Sequence, residues 1–284
     1  LHIHEKPLDG FFWGYYNIYL FAPEISYAAT PRPLEVIDEF KDMVDELHKL
    51  YIEFIIDVVY NHTGEGGLWR EHLEMVDTYL DPSSYGQLVD FDPKEVAGLY
   101  SFRGLDNKSY YALNEGNQTY WNNTGVGNQT HANGRPMRRL IMDSLRFMVE
   151  ELHVDGFRFD LAPVLGASTV DANRWDEVAE TVLQEIMDDP ILRKHNVRVI
   201  AEPWAAGGNY SWSLGAFPAA AEGEGSVGWY EWNAHFRDWW RSFIADDGYF
   251  FSSTEGGADG GSTLTGSFDT FAWNNRRPYH SVNF

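Results

Sequence analysis

Val154-Asp155-Gly156-Phe157-Arg158-Phe159-Asp160-Leu161-Ala162 is the stretch on which the reading of the whole chain turns. At the two-residue period of a strand, Phe157, Phe159 and Leu161 point one way and Gly156, Arg158 and Asp160 the other. One face is apolar enough to pack under helices. The opposite face holds a carboxylate with a guanidinium one pleat behind it. A charged pair on a buried strand is costly unless it finds partners. Alone, it reads equally well as an ion pair that fixes strand register or as part of a functional site.

Two further apolar runs decide between these. Glu202 closes Val197-Arg198-Val199-Ile200-Ala201-Glu202-Pro203-Trp204, and Asp57 and His62 lie in Phe54-Ile55-Ile56-Asp57-Val58-Val59-Tyr60-Asn61-His62. Three short strands thus carry acidic or imidazole groups at or near their C-terminal ends. In a parallel barrel those ends meet at one mouth, where active sites sit. Two carboxylates brought together from different strands are the equipment of glycoside hydrolysis.

DVVYNH at 57–62, GFRFDLA at 156–162 and AEPW at 201–204 resemble three of the four signature regions of the α-amylase superfamily. The resemblance is closest to its isoamylase and glycogen-debranching branch, as are WGY at 13–15, FAP at 21–23 and TGVGN at 124–128. It covers nearly the whole chain, with the motifs in order. It implies an α/β fold: an incomplete (β/α)8 TIM barrel, residues 1–284 being part of a catalytic domain, with an inserted subdomain at 63–136 after the third strand. It implies hydrolysis of α-1,6-glucosidic branch linkages in glycogen, amylopectin or limit dextrin, with retention. Pullulanase, α-amylase and trehalose-forming hydrolases are the neighbouring alternatives, and a non-catalytic glucan-binding relative is the alternative from another class.

The resemblance assigns Asp160 as nucleophile and Glu202 as general acid/base. It places Phe12, His62, Arg158 and Trp204 against the sugar and makes Asp57 a supporting residue. Relatives usually have tyrosine at the position of Phe12, so the stacking ring is kept and the hydroxyl is not. Where relatives carry Asn-His-Pro, this chain reads Asn133-Gly134-Arg135-Pro136. No cofactor and no metal is expected. The His2, His4 and Glu5 cluster matches a strand end better than a zinc site. The resemblance also places an N-terminal sugar-binding domain before Leu1. The last barrel strands, with a His-Asp pair, and a C-terminal β-sandwich are expected after Phe284. The chain therefore reads as a fragment that is inactive alone.

Composition agrees. The 284 residues are 44% hydrophobic and 16% aromatic, enough for a sizeable core and suited to stacking on sugar rings. A formal net charge of −22 argues against nucleic-acid binding and suits a neutral glucan. With no cysteine there is no disulfide or thiolate site. No run approaches the roughly 20 apolar residues of a membrane span. The compartment stays open, with a lean to the cytoplasm from the absent cysteines and a glycogen-type substrate.

Along the chain, strands are expected at Leu1–Glu5, within Phe11–Pro23, and at Trp229–Asn233, the last as the sixth strand. Helical spacing predicts helices over Pro33–Leu50, Arg138–Val154, Trp175–Asp189 and His235–Ala245. Ala205–Gly228 reads as a mobile loop at the mouth. The strand–helix–strand alternation predicts a parallel sheet.

Overall fold

A computed structural model describes residues 14–15, 17, 19–30, 32–63, 102–114, 116, 119–177, 180–218, 228–245 and 281–282. The expected strand at 1–5, most of the one within 11–23, Phe12 and most of 63–101 lie outside these residues.

Five strands form one parallel sheet in sequence order: β1 (Ile55–Val58), β2 (Gly156–Phe159), β3 (Arg198–Ala201), β4 (Trp229–Trp232) and β5 (Ser281–Val282). The register pairs Asp57 with Arg158 and Phe159 with Ala201. An all-parallel sheet must be covered on its faces, so its strands are nearly continuous in apolar residues. Ile56, Val58, Phe157, Phe159, Val199 and Trp229 are all buried. Gly156 is required by close strand approach: a Cβ there would stand 2.7 Å from the Cβ of Arg198.

Six helices are described: α1 (Pro33–Lys49), α2 (Arg103–Tyr110), α3 (Arg135–Glu150), α4 (Val182–Asp188), α5 (Pro190–Lys194) and α6 (Ala234–Ala245). α1 follows its expected span, with proline in the first turn and His48 and Lys49 in the last, where they suit the helix dipole. Its apolar stripe is narrower than the spacing suggests. Val36, Phe40 and Val44 are buried, whereas Met43 and Leu50 are 37% and 67% exposed. In α3 the expected face Ile141, Leu145, Met148 and Val149 is buried. Past its end, Leu152 and Val154 are buried too. His153 takes a left-handed conformation between them, which stops the helix and turns the chain into β2.

The expected helix Trp175–Asp189 is corrected. The helix begins only at Val182, and Pro190 starts a separate short one capped by the Asp189 carboxylate. Trp175 is spent on packing instead: its indole N–H donates to the carbonyl of Pro163 at 2.6 Å, and its ring meets Phe217 edge-on. The expected sixth strand is observed as β4, one residue shorter than predicted. The 205–218 part of the expected mobile loop is tied down. Ala206 and Gly207 donate backbone N–H groups to the Asn123 carbonyl, and Gly215 donates to Glu231 Oε2.

Residues 102–134 carry α2 and two antiparallel bridges, Tyr111 to Thr130 and Leu113 to Tyr120. They lean on the loop after β1, where Thr130 donates its N–H to the Asn61 carbonyl. Among the described residues, no helix is long and apolar enough to cross a membrane.

Candidate active site

Asp160 and Glu202 each follow the last residue of a strand, β2 and β3, whose ends pair at Phe159 and Ala201. Backbone bonds continue the ladder past the strands: Asp160 N–H donates to the Val58 carbonyl and Glu202 N–H to the Phe159 carbonyl. The two carboxyl groups therefore stand on neighbouring chains about 4.8 Å apart, near enough for the Asp160 charge to act on Glu202.

Arg158 sits one pleat below and joins three strands. It donates to Asp57 Oδ1 at 2.8 Å and to Asp160 Oδ1 at 3.1 Å, and its second terminal nitrogen lies 2.9 Å from Glu202 Oε2. The guanidinium carbon also lies over the Trp232 ring, 4.0 Å from its centroid. Burial disfavours its charge, but Glu202, Asp57 and Asp160 outweigh this and hold it above the ordinary arginine range. Asp57 is additionally held by the Tyr15 hydroxyl, which donates to Oδ2 at 2.8 Å. Burial pushes the Asp57 carboxyl up, with Arg158 and Tyr15 opposing.

Among the described residues, Glu202 is the most perturbed carboxyl group. Burial and the adjacent Asp160 charge push it up to about 8, against the pull of Arg158 and of the Leu161 N–H. That N–H reaches Oε2 at 2.8 Å because Leu161 adopts φ 41 and ψ 48. A left-handed backbone costs a residue with a Cβ roughly 1–2 kcal/mol; here it falls directly after Asp160 and aims a donor at Glu202.

Asp160 is fixed from its other side by Asn61. One amide nitrogen donates to the Asp160 carbonyl at 2.8 Å and to its Oδ2 at 2.9 Å. His62 is buried behind it. Its Nε2 donates to the Tyr15 carbonyl at 2.8 Å, and its Nδ1 lies 2.6 Å from Asn61 Oδ1. Burial lowers the pKa of the ring, against the opposing pull of the Asp160 charge and of the hydrogen bond to the Tyr15 carbonyl.

Trp204, half-buried, lies two residues beyond Glu202. It stacks on Trp212 with ring centroids 6.0 Å apart and planes 15° apart, and lies 6.3 Å from Trp232. The geometry therefore brings together Asp160, Glu202, Arg158, Asp57, His62 and Trp204 among the residues expected from the sequence. Asn133, in the variant motif, serves structure: it donates to the Leu165 and Ala167 carbonyls and accepts from the Val182 N–H. Sequence reasoning missed Tyr15, Asn61, Trp212 and Trp232. Tyr15 and Asn61 were visible inside WGY and DVVYNH, while Trp232 follows from the alternation of β4. Among the described residues, no group of three or more acidic or histidine side chains could hold a metal ion.

Comparison with known proteins places the chain in a family. The α-amylase catalytic-domain family matches residues 36–200. An isoamylase of Flavobacterium sp. is 37% identical over 279 residues, covering 96% of this chain and 32% of that protein. The glycogen operon protein GlgX homolog of Mycobacterium tuberculosis is 37% identical, with 96% and 31% covered. Isoamylase 3 of rice chloroplasts is 40% identical, with 96% and 29% covered. The chain thus spans about a third of the length of these relatives. Among solved structures, pullulanase from Paenibacillus barengoltzii, complexed with maltohexaose and α-cyclodextrin, superposes with a TM-score of 0.56 at 22% identity, over 84% of this chain and 31% of that one. The pullulanase of Anoxybacillus sp. LM18-11 with maltotetraose gives a TM-score of 0.51 at 27% identity, over 80% and 26%.

Proposed function

The chain belongs to the α-amylase catalytic-domain family, whose fold is the (β/α)8 barrel, and from that membership we propose that the protein containing it hydrolyses α-1,6-glucosidic branch linkages of glycogen or amylopectin with retention. The observation that carries the mechanism is the pairing of Asp160 and Glu202 on adjacent strands with Glu202 pushed up to about 8. A retaining pair needs carboxyl groups about 5–5.5 Å apart, whereas an inverting pair needs roughly 6.5–9.5 Å to admit a water. Neighbouring parallel strands favour the shorter separation.

In this reading, Glu202 holds a proton at neutral pH and gives it to the glycosidic oxygen as the bond breaks. Asp160 attacks the anomeric carbon and forms a glycosyl-enzyme ester. Glu202, now ionised, takes a proton from water, which hydrolyses that ester and frees Asp160. Arg158 compensates the charge that remains on the carboxylates throughout. Asp57 and Tyr15 hold Arg158, and Asn61 holds Asp160. Phe12 stacks on the sugar at the cleavage point, with Trp204 and His62 shaping the same pocket.

The branch-linkage preference is drawn from the isoamylase likeness over 96% of the chain. Product analysis of the intact protein tests it. Release of linear chains from glycogen and amylopectin, with amylose left intact, is the expected result. Shortening of amylose would move the assignment to an α-1,4 enzyme, and a preference for pullulan to the pullulanase type. Binding of glucan without turnover would leave a binding relative.

A further inference from the structure

Trp212 is 53% exposed, yet its position is rigidly set. It forms a backbone bridge with Trp204, flanked by hydrogen bonds from Ala205 N–H to the Ser211 carbonyl and from Ser213 N–H to the Pro203 carbonyl. The ring of His235 meets it edge-on at 5.8 Å. A continuous aromatic path runs inward from Trp212 to Trp204 and Trp232, and from there to the guanidinium of Arg158 between the carboxylates. A large ring held flat and half in water at the end of such a path suits the apolar face of a pyranose.

The sheet order gives the platform a direction. Asp160 lies at the end of β2 and Glu202 at the end of β3; Trp204 and Trp212 lie on the loop after β3, and Trp232 ends β4. The nucleophile meets the anomeric carbon and the acid meets the leaving oxygen. Continuing from Asp160 through Glu202 leads to the leaving group. We propose that Trp212 is a stacking platform for a glucose unit on the leaving-group side, which in a debranching reaction is the main chain from which the branch is cut. This rests on the functional reading above.

The test compares Trp212→Leu and Trp212→Phe with the parent in the intact protein. KM and kcat are measured on amylopectin, and the Kd of maltohexaose, a linear mimic of the main chain, by calorimetry. Trp212→Leu should raise KM and Kd about tenfold, the scale of one good aromatic contact, and change kcat less than threefold. Trp212→Phe, which keeps a ring, should recover most of the loss. A parent that cleaves amylopectin, with Trp212→Leu matching it in KM and Kd, overturns the platform and leaves the functional reading standing. So does a loss confined to kcat. A parent that cleaves no branched glucan overturns the functional reading and the platform with it.

Discussion

At the ends of β1, β2 and β3, Asp57, Arg158, Asp160 and Glu202 meet where little water reaches them, each carboxylate paired with Arg158. On the loop after β3, Trp204 and Trp212 meet through flat apolar faces, with one ring half in solvent. The first region depends on register: a slip of one residue would turn every side chain to the other face. The second depends on area and tolerates gradation. Removing a group from the charged floor should therefore abolish function, while trimming the aromatic rim should only weaken it.

The sharpest way to break this contrast is at the carboxyl pair. Asp160→Asn and Glu202→Gln should each lower turnover of glycogen by at least about a thousandfold, and the double variant should be little worse than either, because the two act as a unit. Near-normal turnover in a single variant would remove that residue from its role. Next comes Asn61→Ala, which frees one oxygen of Asp160. A loss of about tenfold to a hundredfold in kcat with KM nearly constant is expected, the scale of misplacing a reacting group by about an ångström. An unchanged kcat in Asn61→Ala would instead show that the placement of Asp160 does not depend on Asn61.

The pH profile comes third. Glu202 must carry a proton to donate, and its pKa stands near 8. As pH rises through that value the protonated fraction falls, so kcat/KM should decline above about pH 8 by up to tenfold per unit. A decline that begins near the ordinary glutamate value would contradict the burial and charge pairing described. The smallest effect is expected at the boundary of the two regions. Trp232→Leu keeps apolar cover but removes the ring beneath Arg158. A cation–π contact of about 0.5–2 kcal/mol implies a few-fold to thirtyfold loss in kcat/KM on amylopectin. An effect as large as that of Asp160→Asn would erase the distinction between floor and rim.

Much of the floor was legible before any coordinates. The alternation in 154–162 separates Arg158 and Asp160 from Phe157 and Phe159, and the same logic brings Asp57 and Glu202 to the strand ends. The helix faces of α1 and α3 were legible for the same reason, periodicity being local. The misses involve choices that only tertiary contacts decide. Trp175 has helical spacing with Val182 and Ile186, but its indole is drawn to the Pro163 carbonyl, and the helix starts seven residues later. The 205–218 segment looks mobile in composition and is held by Asn123 and Glu231, which are remote in sequence. α3 starts at Arg135, ahead of the expected Arg138, with Pro136 in its first turn.

The grip on Asp160 has an entropic consequence. Arg158 takes one of its carboxylate oxygens, and Asn61 takes the other together with the backbone carbonyl. A side chain so held surrendered its rotational freedom when the chain folded. Little remains to be lost when a sugar arrives, so the ordering of this group adds little to the barrier for attack.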